Sequence, residues 1–151
     1  METIETLLKI DKDSVLATVT NEALYTAHAR LAGNAAAKAL IPSRDDWDML
    51  TVYYDMALAD LRVTLSRYSV NAGASSDTVD GVTSITLAMP DTWDEKGAVA
   101  AQQHAKRYMV LRVMELWNGV ADMGADSERR EMMHALHRRK EVLRVGFNPL
   151  F

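Results

Sequence analysis

The 151-residue chain contains no cysteine. That rules out disulfides, zinc–thiolate sites and a cysteine nucleophile, and is compatible with a reducing compartment. It also has no run of about 18 apolar residues, so no membrane span is expected. The opening METIETLLKIDKD carries acids and lacks a basic stretch ahead of an apolar core, unlike a secretory leader. The sequence contains no G-x-S-x-G, no G-x-x-x-x-G-K-[ST] and no G-x-G-x-x-G. Proline is scarce, at three residues. What remains is ordinary globular composition, 48 % hydrophobic and 25 % charged, enough for one domain with a real core. The expectation is a soluble protein made, or assembled, inside a cell.

Charge is unevenly placed. Residues 1–95 hold 7 basic and 15 acidic residues, whereas residues 96–151 hold 10 and 6. An acidic front and a basic back suit contact between neighbouring copies, although two independently solvated halves would read the same way.

The spacing of apolar residues predicts a mainly α-helical domain spanning 1–151. Ser43-Arg-Asp-Asp46 is a helix start signal. Trp47, Leu50, Tyr54, Leu58, Leu61, Leu65 and Tyr68 then recur every three or four residues, with Asn71 and Gly73 as the stop. A second long helix is expected from Thr92-Trp-Asp-Glu95, on the stripe Tyr108, Leu111, Met114 and Trp117, widened by Val110, Val113 and Val120. It should be buried on more than half its girth and end near Gly119. The last helix is expected from about Ser127 to Arg144, with Met132, Met133, Leu136 and Leu143 on one side and arginines on the other. At the front, helix is expected over 14–32 and a short helix over Met1–Ile10, so the whole reads as a bundle of about four helices. Between the two long helices, Asp80-Gly81 is a tight-turn signal. Val82, Ile85, Leu87 and Met89 then follow strand periodicity. A lone strand or small hairpin is unstable, so its partner is either a cryptic strand in this chain or another subunit.

Candidate chemical sites weigh lightly. Glu131 and His134 are spaced i, i+3, as in di-metal helical bundles, but one pair among arginines reads better as a solvated surface pair. His134 and His137 lack a third ligand nearby in sequence, and His28 and His104 stand alone. Asp45, Asp46 and Asp48 sit in a first helical turn, where they complement the helix dipole. Trp47, Trp93 and Trp117 read as core anchors. No catalytic residue, cofactor or metal site is assigned. The basic segment with Arg129, Arg130, Arg138, Arg139, Lys140 and Arg144 could neutralise phosphates. An acidic chain of pI about 5.5 argues against direct nucleic-acid binding and for an acidic protein surface, such as residues 44–60 supply. The ending Phe147-Asn-Pro-Leu-Phe151 either covers its own core or inserts into a partner's groove, and docking is favoured.

The order of elements resembles the head–tail connector proteins (adaptors, or head-completion proteins) of tailed phages and prophages. Short front helices precede a long helix, a Gly/Ser loop with β-character at 71–89, two further helices and a C-terminal extension. The resemblance covers about residues 14–151. It implies a non-enzymatic ring subunit in the virion neck, met in the host cytoplasm during assembly, with the portal and tail or neck proteins as partners and no membrane association. In segment terms it implies that a protruding loop (71–90), through Val82, Ile85, Leu87 and Met89, augments a neighbour. The extension (145–151), with Arg138, Arg139, Lys140, Arg144, Phe147, Leu150 and Phe151, would be the docking end. The rival readings are a tail-completion or terminator protein, a nucleic-acid-associated helical protein using Arg129–Arg144, and a helical enzyme using Glu131 and His134.

Overall fold

The computed structural model describes residues 3–31, 42–70, 78–121 and 123–140. The chain is mainly helical with a small three-stranded antiparallel sheet. In order it runs β1 (Thr3–Asp11), α1 (Lys12–Leu31), a 3-10 turn (Arg44–Asp46), α2 (Trp47–Thr64), β2 (Thr78–Val79), β3 (Val82–Pro90), α3 (Gly97–Asn118) and α4 (Ala125–His137).

The first ten residues depart most from expectation. They form a strand rather than a short helix. β1 pairs with β3 antiparallel over its full length, from Thr3 opposite Pro90 to Asp11 opposite Val82. Ile4, Leu8 and Ile10 alternate with Glu5, Leu7 and Lys9, and Leu8 and Ile10 are buried while the alternate residues are exposed. That period-2 pattern outweighs local helix propensity once a partner strand exists to template it. This is the cryptic strand that the β3 segment required.

β3 is the central strand. On its other edge the Asp80-Gly81 turn returns the chain from β2, with φ of 52° at Asp80 and 79° at Gly81. Both residues are left-handed, as a two-residue hairpin with right-handed strand twist requires. Farther along that edge, Val70 N–H donates to the Thr86 carbonyl (2.9 Å) and Ala88 N–H to the Tyr68 carbonyl (2.8 Å). This explains why α2 stops at Thr64, short of the predicted Asn71: the chain after it leaves the helix to satisfy β3. Leu65 and Tyr68 remain buried in the turn.

α1 starts two residues earlier than predicted. The Asp11 carboxylate caps it, accepting from the N–H groups of Asp13 (3.1 Å) and Ser14 (3.4 Å). It runs unbroken past Thr20, with the hydroxyls of Thr18 and Thr20 bonded back to the carbonyls of Ser14 and Leu16. At the entry to α2, Asp46 accepts from both the N–H (2.8 Å) and the hydroxyl (3.1 Å) of Ser43, the reach-back half of the predicted capping box.

α3 lies at the centre, against α1, α2, α4 and β1. Ala101, Ala105, Tyr108, Met109, Val110, Val113 and Met114 are all buried on it, in keeping with the predicted girth. Gly119, at φ 67°, closes it. α3 starts at Gly97, not in the Thr92–Glu95 box. Those residues form turns that receive the chain leaving α4: Asp94 N–H donates to the Arg138 carbonyl (3.0 Å) and Lys140 N–H to the Thr92 carbonyl (2.8 Å). α4 therefore ends at His137, and Arg138, with ψ 131°, is extended. Of the predicted helix to Arg144, residues 138–140 thus fall outside α4, and residues 141–144 lie outside the described residues. Trp93 is 1 % exposed and its indole N–H donates to the Ala135 carbonyl (3.1 Å). A Cβ on Gly97 would sit 2.6 Å from that same oxygen, so a side chain there would push α3 and α4 apart. Trp47 and Trp117 pack against the core while partly exposed.

Candidate interaction surfaces

The strand assigned to a neighbour turns out to be occupied. Ile85, Leu87 and Met89 are each 0 % exposed and belong to the chain's own core; Val82 is half-buried beside β2. Fully burying such a side chain contributes about 1.5–3 kcal/mol, so these three are committed to the monomer. Both backbone edges of β3 are paired within the chain, by β1 on one side and by β2 and residues 68–70 on the other. The segment 82–89 neither protrudes nor offers an edge, which corrects its assignment as a strand donor. Residues 71–77 of the predicted loop lie outside the described residues.

The C-terminal set divides. Arg138, Arg139 and Lys140 are exposed but extended rather than helical, and Arg138 Nε lies 3.1 Å from the Asp94 carboxylate. Arg144, Phe147, Leu150 and Phe151 lie outside the described residues.

The surface that sequence periodicity missed is on α2. Its buried face is Leu50, Tyr54, Ala57 and Leu61. On the opposite face stand Met49, Val52, Met56 and Val63, at 49 %, 50 %, 46 % and 74 % exposure, with exposed Ala59 completing the row. Positions 49, 52, 56, 59 and 63 are spaced 3-4-3-4, the repeat of a helix–helix seam. Asp48 and Asp55 flank it on one side and Asp60 on the other. Asp60 faces Arg112 Nε at 3.4 Å, whereas Asp48 and Asp55 make no ion pair among the described residues. The signal was present in the sequence, but Trp47, Leu50, Tyr54 and Leu61 gave a stronger repeat on the other face and drew the reading there.

A cavity of about 760 Å³ opens between α2, α3 and α4. Its charges satisfy one another. Arg112 lies 3.4 Å from both Asp60 and Glu115, and Arg129 and Arg130 share Asp126. The paired Arg129 guanidinium holds the Asp126 carboxyl below the usual range. Glu115 is 5 % exposed, and its carboxylate accepts from the N–H groups of Met123 (2.9 Å) and Ala125 (3.2 Å). It thereby organises the α3–α4 turn and satisfies the first N–H of α4, that of Ala125. Tyr108, also lining the cavity, has its pKa pushed up by burial.

The histidines have structural partners. His104 Nδ1 sits 2.6 Å from Glu128, joining α3 to α4. His137 Nδ1 sits 2.9 Å from the Tyr68 hydroxyl, with the two rings edge to face. Glu131 and His134 are both exposed, and among the described residues no three His, Asp or Glu side chains converge as a metal would need. Tyr54 is buried with its hydroxyl lacking a partner in bonding geometry among the described residues. Burial pushes its pKa up to about 12, eased by the nearby Thr83 hydroxyl. No helix among the described residues is long and apolar enough to cross a membrane.

No protein-family model, no curated protein and no solved structure matches this chain.

Proposed function

We propose that this protein is a non-enzymatic assembly subunit of a tailed-phage or phage-like particle, a head–tail connector that forms a ring in the neck and meets the portal and tail or neck proteins. The observation that carries the reading is α2, an eighteen-residue helix that is apolar on two opposite faces, one filled by the chain's own core and one open. A surface helix ordinarily keeps one apolar stripe. A second, in seam spacing, belongs with a neighbour. In this reading the four helices act as one bundle, the sheet braces it from within, and α2 lies on the outside where a neighbour can reach it. The acidic front and basic back supply the two unlike patches that a closed ring requires.

The test is co-purification with the portal protein of the same genome, read by native mass spectrometry or mass photometry. A ring-sized assembly, alone or on the portal, is the expected result. A strict monomer that ignores the portal and binds duplex DNA in a salt-dependent way would replace this reading with the nucleic-acid one.

A further inference from the structure

The open face of α2 has a charge as well as a shape. Across residues 44–62 stand five aspartates and two arginines, a net −3. Two α2 faces laid antiparallel about Met56 would bring Asp55 against its own copy, a like-charge contact in the middle of the seam. The seam therefore selects a partner segment that is apolar and positively charged. This chain has one of matching size: residues 138–151 carry four basic residues and one acid, a net +3, interleaved with Val142, Leu143, Val145, Phe147, Leu150 and Phe151. It begins at an anchored point, since Lys140 is tied to Thr92. The eleven residues beyond Lys140 span up to about 36–40 Å when extended, whereas α2 is about 27 Å long, so the segment can run the length of the seam.

We infer that the Met49–Val52–Met56–Val63 face of α2 is the receptor for the basic, apolar C-terminal segment of a second copy, forming a head-to-tail contact. The inference rests on the assembly reading above and gives it its interface. Apolar side chains of the segment cover the seam, while Arg139, Lys140 and Arg144 meet Asp45, Asp48 and Asp55. Each copy offers one receptor and one tail, so the contact is heterologous and propagates until a ring closes.

The absence of cysteine makes the test clean. Full-length Val52→Cys and Leu143→Cys, which this register places side by side, each carry a single thiol. Mixed under mild oxidation, they are expected to give a mixed disulfide dimer in preference to either homodimer. The double variant is expected to give a ladder of multimers. Dominant Val52→Cys homodimers, closure of the double variant within one chain, or mixed-disulfide yield no higher than that of a Ser66→Cys control would each overturn the inference. Separately, Met56→Asp and deletion of 147–151 are each expected to weaken self-association at least tenfold with an unchanged thermal midpoint, and equal association would also overturn it. Portal binding reports independently. Mixed disulfides without portal binding would support this docking and remove the neck assignment; portal binding without mixed disulfides would do the reverse.

Discussion

Glu115 is the one charged side chain that is buried among the described residues. It places a carboxylate at 5 % exposure and spends its oxygens on two backbone N–H groups and one arginine. Removing it leaves the donors of Met123 and Ala125 short of an acceptor and Arg112 with Asp60 alone among the described residues. Glu115→Ala is expected to cost about 2–4 kcal/mol in urea unfolding, and Glu115→Gln, which keeps an acceptor, clearly less. Equal costs would mean the charge and not the turn is what matters. His137 makes a second residue-scale prediction. Burial first, then the neighbouring Arg67, Arg139 and His134, lower its pKa, and its Nδ1 shares a hydrogen bond with the Tyr68 hydroxyl. The unfolded chain therefore takes up this proton before the folded one. Stability should be full above the ordinary histidine value near 6.5 and decline as pH falls below it. Urea midpoints measured between pH 7.5 and about 5 should show that step, and His137→Gln should reduce it. An unchanged step in the variant would assign the titration to another group.

Among the elements, β1 shows how an edge strand is kept from indiscriminate pairing. Lys12 N–H donates to the Gly81 carbonyl (3.0 Å), which fixes the even-numbered residues of β1 as those bonded to β3 and turns the odd-numbered ones outward. At Lys9 the side-chain amide of Gln102 fills the place of a partner strand: it donates to the Lys9 carbonyl (2.6 Å) and accepts from its N–H (2.8 Å). Glu5 and Lys9 add charge along the same edge. Gln102→Ala is expected to speed amide exchange at Lys9 and to lower stability by about 0.5–1.5 kcal/mol. Exchange as slow as in the parent would show that something else shields the edge. α2 teaches the complementary lesson. Its existence and its buried face were legible from Trp47 to Tyr68, but its end was not, because Val70 and Tyr68 are recruited by Thr86 and Ala88, residues far along the chain. The predicted start of α3 at Thr92 failed for a similar reason: that segment is used to hold Arg138 and Lys140. Capping patterns report only on the nearest turn, and here a distant strand or tail segment outcompeted the local option.

At the scale of the molecule, the proposed head-to-tail contact joins surfaces of opposite charge, and it should weaken as salt rises toward about 0.5 M, where screening shortens the reach of exposed charges. Self-association that strengthens with salt would point to a purely apolar seam. The sequence by itself determined the helical majority, the Asp80-Gly81 turn, the three strong helices and the strand character of 82–89, because each of these is written in local periodicity and turn chemistry. It also determined the charge division between front and back. Tertiary structure alone decided which partner β3 would take. Ile85, Leu87 and Met89 read equally well as a strand for a neighbour or for the chain itself, and only the pairing of Thr3–Asp11 along one edge of β3, with β2 and residues 68–70 on the other, resolved it. The same holds for the open face of α2. Periodicity shows that a residue belongs to an apolar stripe, but whether that stripe is covered depends on what the rest of the chain brings to it, and that is a property of the packed molecule.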